Sequence, residues 1–569
     1  MELYGRLPAL RDGDIRLLRV HAMSETPKNI IRCTLTTHNL SQPDNKLDFL
    51  ALSYTWGPPH YSLQELRTSR SSISHQVQCN GNMIDVSENL GEFLCHCASA
   101  DEDQGLSGYM WIDALSINQW DIFERSRQVN FMGEIYKTAT RVVVWLGIED
   151  RTTKSAFDLI VGLSTLTPAE RSKLHPHEVR PQHANPLLDI YTWNALALFF
   201  RKTWFNRAWI IQEVVFARDV NGQWHNTPAR LDAAKRTYET STNEGLLYAL
   251  IRARSSSCQD PRDKVYSQLG LGKADIFPDY DLAVADVYIT AARYILENSN
   301  SLLLLTCVEG DEFQKIPGLP SWIPDWSVTQ FLGLRVTGYR HFHASGHRPR
   351  QYSLSMQNDK PVLGIQATNL DDIVEICDIK GDLRDGLHNS SLWKTISSIS
   401  PRYITGEGRE EVRIQYPATS ERLEPSFRDW IIWRYVMASE EPVTFPIRSS
   451  ADSILPSPEE IQDARRRSRE EPDYLNSLIH RASFFDLHYS HAKLVRPFRT
   501  REGYFGIGTQ CLREHDSVWV VPGCPVPLIL RRTEGSEMYR LVGGSYVHGF
   551  MDGEILERKD LAFEMVGLE

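Results

Sequence analysis

The sequence predicts an α+β protein in three parts. The first is an N-terminal α/β domain with a doubly wound, mainly parallel sheet, because short apolar runs alternate there with amphipathic helical stretches. The second is a helical middle region, because helical patterns follow one another between residues 228 and 310. The third is a small antiparallel β domain, because short strand-like runs separated by turn residues recur from residue 493 onward.

The chain opens with strand signals. Residues 15–20 and 30–35 are rich in apolar and β-branched residues and predict a hairpin at the edge of a sheet. The apolar run 49–52 is short and ends before Gly57 and two prolines, which predicts the first buried strand of the α/β layer. A further hairpin turn is predicted at residues 79–82, where Asn and Gly stand together.

Two amphipathic helices follow. Ser87 can cap a helix over residues 88–98, whose apolar side chains recur at helical spacing. Asp121 and Glu124 stand three residues apart before a second periodic stretch, which is a capping-box arrangement. Helices placed between short buried strands are typical of a layered α/β domain.

Two more buried strands complete the predicted sheet, at residues 109–115 and 140–147. In sheets of this class, ligands bind in the crevice at the carboxyl ends of the strands. Those ends carry residues 53–57, 116–119 and 147–150. Asp113 falls in the middle of a predicted strand, so either a structural role toward loop amides or a role in the crevice is open to it.

The predicted domain boundaries follow these changes of pattern. The N-terminal domain covers residues 1–225 and the helical region 226–335. A mixed α/β region is predicted at 336–438, then a linker or insertion at 439–475, which is rich in Pro, Ser and charge. The β-rich domain is predicted at 476–569.

Composition limits the function classes. The net charge of −11 argues against a nucleic-acid partner, and no stretch has enough unbroken apolar residues for a membrane span. No signal-peptide core follows the first residue, and the nine cysteines are scattered and odd in number, so a cytoplasmic location is expected. The cluster at residues 95–97 lacks a second ligand pair, so no metal is expected.

Residues 204–218 are mostly apolar but contain one glutamate, Glu213. On a helix, Trp209 and Glu213 are i and i+4 and share a face. Burial raises the pKa of a carboxyl group unless a cation compensates, and Arg207 is the nearest candidate cation. Two interpretations follow. Glu213 is a core residue sealed by Arg207, or it opens into the crevice beside residues 53–57.

Several blocks together resemble the fungal heterokaryon-incompatibility (HET) domain. They are Leu-Ala-Leu-Ser-Tyr-Thr-Trp-Gly at 50–57, Trp-Ile-Asp-Ala-Leu-Ser-Ile-Asn-Gln at 111–119, Met-Gly-Glu-Ile-Tyr at 132–136, Val-Trp-Leu-Gly at 144–147 and Arg-Ala-Trp-Ile-Ile-Gln-Glu at 207–213. They occur in the family's order, and the resemblance covers about residues 48–218. The family usually has Cys where Ser116 stands, which removes a thiol nucleophile from that position here.

Later segments resemble what commonly follows this domain. They include Asp-Pro-Arg-Asp-Lys-Val-Tyr at 260–266, Pro-Asp-Tyr at 278–280 and Pro-Ser-Trp-Ile-Pro-Asp-Trp at 320–326. The resemblance implies a regulator of fungal self/non-self recognition and programmed cell death. Its expected partners are other incompatibility or cell-death proteins, together with self-association.

HET domains are similar in turn to Toll/interleukin-1 receptor (TIR) domains, and this more distant resemblance implies a TIR-like fold. Trp209 and Glu213 have the spacing of the Trp-Cys-x-x-Glu helix of TIR enzymes that cleave NAD, with Ile210 in place of the cysteine. In those enzymes the glutamate is catalytic. The resemblance therefore implies NAD as a substrate, with no cofactor, and Glu213 as the catalytic residue.

The candidate site combines Glu213 with eight predicted substrate-binding residues. These are Ser53, Tyr54, Trp56, Gly57, Asp113, Asn118, Arg207 and Trp209. A carboxylate near the ribose can stabilise the oxocarbenium-like state that forms when the nicotinamide–ribose bond breaks. Two alternatives remain: a non-catalytic assembly module with an ion-paired Glu213, and a metabolic enzyme that has recruited the same crevice.

Overall fold

The computed structural model describes residues 2–21, 30–41, 48–60, 74–99, 105–171, 181–217, 245–329, 342–357, 360–376, 495–547, 550–557 and 561–569, with residues 235, 238, 463 and 466. The chain divides into two units, Met1–Val287 and Tyr288–Glu569. The predicted linker at 439–475 lies outside the described residues apart from 463 and 466, and so does the part of the predicted mixed region after residue 376.

The first unit contains one sheet of seven strands among its described residues, and the strand order is β5-β4-β2-β1-β6-β3-β7. The strands are β1 Asp14–Val20, β2 Ile31–Asn39, β3 Phe49–Ser53, β4 Ser74–Cys79, β5 Asn82–Ser87, β6 Tyr109–Trp111 and β7 Arg141–Val144. The prediction of a mainly parallel sheet is wrong. Strand β3 runs parallel to β6 and β7, and β2 to β4, but the other three pairs are antiparallel.

The first hairpin is not at the edge of the sheet, as predicted from its position at the start of the chain. Strand β1 pairs with β2 on one side and with β6 on the other. Its residues Ile15, Leu17 and Leu18 are fully buried. Neighbouring strands on both sides of the hairpin pair with its backbone N–H and C=O groups. The hairpin therefore lies inside the sheet and joins its two halves.

Helices precede, separate and follow these strands along the chain. They are α1 Glu2–Gly5, α2 Glu88–Ser99, α3 Asp113–Ser116, α4 Ile122–Thr138, α5 Thr153–Thr165, α6 Pro168–Arg171, α7 Ile190–Phe200, α8 Trp209–Phe216, α9 Gly245–Ala253, α10 Asp263–Tyr266 and α11 Val284–Asn298. The capping prediction is confirmed at α4, where the carboxylate of Asp121 accepts a hydrogen bond of 3.0 Å from the backbone N–H of Glu124.

Helices α2 and α4 cover opposite faces of the sheet. Met110 and Ile112 belong to an apolar cluster with residues of α2 that include Phe93. Trp111 points the other way and meets Tyr136 of α4 edge-to-face, with the ring centroids 5.7 Å apart. Because successive side chains of an extended chain point to opposite faces, this alternation produces the predicted doubly wound arrangement.

The second unit contains nine strands within the described ranges. They are β8 Tyr352–Gln357, β9 Lys360–Ile376, β10 Val495–Thr500, β11 Phe505–Thr509, β12 Ser517–Val520, β13 Leu528–Arg532, β14 Tyr539–Gly544, β15 Tyr546–Val547 and β16 Glu564–Leu568. The path β12-β13-β14-β16-β9 closes on itself because β9 also pairs with β12. A closed path of this kind is a small barrel, which leaves these strands without a free edge.

Two features of this barrel differ from the prediction. Strand β9 comes from the region predicted as separate and mixed, and it is long enough to pair with β8, β10, β12 and β16. The sheet is also not wholly antiparallel, because β14 and β16 meet in parallel.

Within the described ranges, no helix combines the length and the apolar character that crossing a bilayer requires.

Candidate functional site

A cavity of about 920 Å³ opens in the first unit at the carboxyl ends of strands β3 and β6. Five of the predicted site residues line it: Trp56, Gly57, Asp113, Arg207 and Trp209. The chain turns away from the sheet at Gly57 and two prolines, so the aromatic side chain before this break stands at the rim. The sequence prediction of a crevice at these strand ends agrees with the position of the cavity.

Asp113 supplies a carboxylate to the cavity wall. Strand β6 ends at Trp111, so Asp113 is not mid-strand as predicted, but begins the short helix α3. The indole N–H of Trp56 donates to it over 2.8 Å and the backbone N–H of Ala114 over 2.7 Å. Burial raises the pKa of Asp113, while the guanidinium of Arg207 and these donors favour its ionised form.

Glu213 lies behind this wall. Its side chain is 2% exposed, and it is not among the described residues that line the cavity. The hydroxyl of Ser53 donates a hydrogen bond to its Oε2 atom, and the same hydroxyl accepts one of 2.8 Å from the indole of Trp204. Burial raises the pKa of Glu213 to about 7, although Arg207 and Ser53 favour the ionised carboxylate.

Arg207 stands between the cavity and Glu213. Its Nη1 atom is 3.8 Å from Oε1 of Glu213, and its guanidinium donates to the backbone carbonyl of Tyr54. The side chain is 19% exposed and lines the cavity, so one guanidinium faces both the hollow and the buried carboxylate. In this conformation Arg207 covers Glu213, as the first of the two interpretations describes. The cavity lies on the other side of the guanidinium.

Four predicted site residues do not line the cavity: Ser53, Tyr54, Asn118 and Glu213. Ser53 and Tyr54 are buried, and the hydroxyl of Tyr54 hydrogen-bonds Asp113 from behind. Asn118 supports the loop before α4, since its Oδ1 accepts from the backbone N–H of Trp120 over 3.3 Å. Tyr54 therefore holds a wall residue, Asp113, in place, whereas the partners of the Ser53 and Asn118 side chains do not line the cavity.

The opposite wall of the cavity was not predicted. It contains Arg125 from α4 and, from later in the chain, Asp260, Arg262, Asp263 and Tyr280. The carboxylate of Asp263 accepts a hydrogen bond of 2.6 Å from the hydroxyl of Tyr280 and another from the side chain of Trp209. The motifs at 260–266 and 278–280 contribute to this wall. In the sequence they indicate only a resemblance to the segment that commonly follows a HET domain.

Ser116, which stands where the family usually has Cys, has a structural position. It is fully buried, and its hydroxyl accepts a hydrogen bond of 3.1 Å from the backbone N–H of Ile112. The buried guanidinium of Arg16 donates to its carbonyl over 3.2 Å and holds Glu124 with both nitrogens. The residue therefore closes the turn at the start of α3 and does not face the cavity.

Two segments of the chain match models of known protein families. The family model "Heterokaryon incompatibility protein (HET)" matches residues 49–213, and the model "Het-6 beta-barrel domain" matches residues 457–563. The chain is similar to heterokaryon incompatibility protein 6, OR allele, of Neurospora crassa, with 25% identity over 96% of this chain and 95% of that protein. No solved structure matches the chain. Residues 49–213 are therefore similar to a HET domain, and residues 457–563 are similar to a Het-6 β-barrel domain.

Proposed function

We propose that this chain is a heterokaryon-incompatibility regulator of self/non-self recognition and cell death, and that its HET domain binds NAD and cleaves the nicotinamide–ribose bond. The observation that carries this proposal is the cavity at the strand ends, about 920 Å³ in volume and lined by Trp56, Asp113, Arg207 and Trp209. Ligand pockets have volumes of roughly 300–1,000 Å³. The first part of the proposal also draws on the name of the Neurospora crassa relative.

The wall chemistry suits a dinucleotide. Indole rings such as those of Trp56 and Trp209 offer flat surfaces on which a nicotinamide or adenine ring stacks. Arg125 and Arg207 carry planar guanidinium groups, which match the oxygen pairs of a pyrophosphate. The carboxylate of Asp113 suits the positive charge of the nicotinamide ring. The ligand class is therefore one that joins a cationic ring to phosphates.

The reaction requires little covalent chemistry. Water attacks C1′ of the ribose, the C1′–N bond breaks, and its electron pair leaves with neutral nicotinamide. The water proton is released to solvent, and ADP-ribose is the other product. A carboxylate beside the ribose stabilises the oxocarbenium-like transition state. We assign this role to Glu213, which requires that Arg207 turn toward the ligand phosphates and uncover the carboxylate behind it.

A second candidate function is a non-catalytic assembly module. The observation that favours it is the burial of Glu213, whose side chain is 2% exposed and bonded by Ser53. A buried carboxylate held by a hydroxyl and a guanidinium also fits a structural role that fixes the middle of α8 against the end of β3. In that case the cavity would carry no chemistry, and the domain would act through its surfaces.

The two candidates differ in one measurement. Purified full-length protein at high concentration is incubated with NAD, and released nicotinamide is quantified by chromatography. If the domain is an enzyme, the wild type should release nicotinamide and Glu213→Gln should not. The melting temperature of the variant shows whether it is folded. Glu134→Gln is the matched control, because Glu134 is exposed on α4 and pairs with Lys137. No release from dilute or assembled wild-type protein, together with a lower melting temperature for Glu213→Ala, would establish the assembly reading.

A further inference from the structure

The cavity has a wall that lies outside the matched HET segment. Asp263 and Tyr280 follow residue 213, where the match ends, yet both line the same hollow as Trp209 within the first unit. The backbone carbonyl of Ser257 accepts a hydrogen bond of 2.9 Å from the N–H of Ala208, next to the start of α8. The chain after the HET segment is thus fixed directly against the residues that begin α8.

Asp263 is the centre of this second wall. Its carboxylate accepts the hydroxyl of Tyr280 over 2.6 Å and the side-chain N–H of Trp209. Tryptophan has only one side-chain donor, its indole N–H, so the edge of the ring that carries this N–H faces Asp263. Burial raises the pKa of Asp263 to about 6, while the bonds from Tyr280 and Trp209 favour the ionised form.

Tyr280 is held from its other side. The guanidinium of Arg125 lies over its ring, 3.6 Å from the centroid, and the backbone N–H of Tyr280 meets the hydroxyl of Ser126 at 3.4 Å. Arg262 donates to the carbonyl of Tyr280 and binds both oxygens of Asp260. The tyrosine hydroxyl therefore points at Asp263 from a fixed position, and Asp263 in turn points at Trp209.

We infer that Asp263 is a positioning residue for the ligand site: it holds the indole of Trp209 as the surface on which a planar heteroaromatic ring of the ligand stacks. The inference rests on the proposed function for the identity of that ring, nicotinamide or adenine. A ring that is already ordered loses less entropy when a ligand binds than one that must be immobilised. The HET segment alone lacks this restraint, because Asp263 comes from the chain that follows it.

A double-mutant cycle on the full-length protein tests the inference. The probe is carba-NAD, an analogue that cannot be hydrolysed, and the readout is its dissociation constant from calorimetry. Asparagine has the shape of aspartate but carries no charge and one acceptor oxygen in place of two. It therefore holds the indole N–H less tightly, and Asp263→Asn should weaken binding roughly tenfold. Phe at position 209 has no N–H, so in a Trp209→Phe background Asp263→Asn should cause no further loss.

The controls separate positioning from folding. Melting temperatures establish that each variant is folded, and Asp158→Asn should bind like the wild type because Asp158 is exposed and pairs with Lys154 on α5. An equal loss from Asp263→Asn in both backgrounds, no loss in either, or no binding of carba-NAD by the wild type would overturn the inference. A loss of binding from Asp263→Asn that occurs only when Trp209 is present would support the inference. If the same protein released no nicotinamide, that result would count against the hydrolase proposal.

Discussion

Ser53 and Glu213 lie 160 residues apart in the sequence and share a hydrogen bond in the core of the first unit. Ser53 ends strand β3, and Glu213 lies in the middle of α8. The same hydroxyl accepts from the indole of Trp204. The contact therefore ties the end of a central strand to two later segments, and it places the one glutamate of α8 on the inner side of the cavity wall.

Replacing Ser53 should destabilise the fold. Ser53→Ala leaves the carboxylate of Glu213 and the indole N–H of Trp204 without this partner in a buried place, which costs about 1–3 kcal/mol. Denaturant unfolding of the full-length protein measures the change. Ser164→Ala is the control, since Ser164 is exposed and should stay within about 0.5 kcal/mol. A Ser53→Ala protein as stable as the wild type would show that this contact contributes nothing.

The raised pKa of Glu213 predicts a pH dependence. Below about pH 4.5, its ordinary pKa, the group is protonated in both the folded and unfolded states. Between there and about pH 7 the unfolded chain ionises while the folded protein keeps the proton. The free energy of unfolding should then fall as pH rises, relative to Glu213→Gln, by at most about 1.4 kcal/mol per pH unit.

This pH effect is measured by urea unfolding of both proteins at several values from pH 4.5 to 8. The difference between them should change across the window and level off above about pH 7, because the folded protein is then ionised as well. Glu134→Gln, at an exposed position, is measured alongside as the matched control. A constant difference between wild type and Glu213→Gln would mean that Glu213 is ionised throughout.

The barrel has its own buried ion pair. Arg531 donates to both oxygens of Asp516 over 2.8 and 2.9 Å, and to the carbonyl of Cys511 over 2.7 Å. Lysine cannot form this fork, so Arg531→Lys should cost about 2 kcal/mol in the free energy of unfolding. The neighbouring Arg532 pairs with Glu537 at an exposed position, and Arg532→Lys should be nearly neutral. Equal changes in the free energy of unfolding for Arg531→Lys and Arg532→Lys would contradict this prediction.

Gly506 in β11 allows the buried ring of Phe498 in β10 to lie against its backbone. A Cβ atom at this position would clash with the ring of Phe498, which is fully buried. Gly506→Ala should therefore lower stability by roughly 1–3 kcal/mol through overpacking. Thermal unfolding tests this, with Gly5→Ala as a control because an added Cβ there meets no atom within 4 Å. An unchanged melting temperature for Gly506→Ala would contradict the prediction.

Local patterns were enough for most of the elements. The cap at Asp121, the helix that Ser87 precedes and the turn at 79–82 follow from residue types a few positions apart, because helix and strand periods and capping bonds are short-range. The blocks at 52–57 and 207–213 were likewise sufficient to identify the HET domain. Three of the five predicted residues that line the cavity, Trp56, Gly57 and Asp113, follow the ends of strands β3 and β6, and strand ends can be predicted from local patterns in the same way.

Strand order and the depth of side chains were settled only by the tertiary structure. Nothing local places the first hairpin between β4 and β6, because that choice depends on which edges find partners. Whether Glu213 faces solvent depends on Ser53 and Arg207, and the second wall depends on Asp263 reaching Trp209. The Ser53–Glu213 contact joins residues 160 positions apart, and Asp263 comes from the chain that follows the matched HET segment. The sequence determined which groups this protein has for a site, and packing decided which of them a ligand can meet.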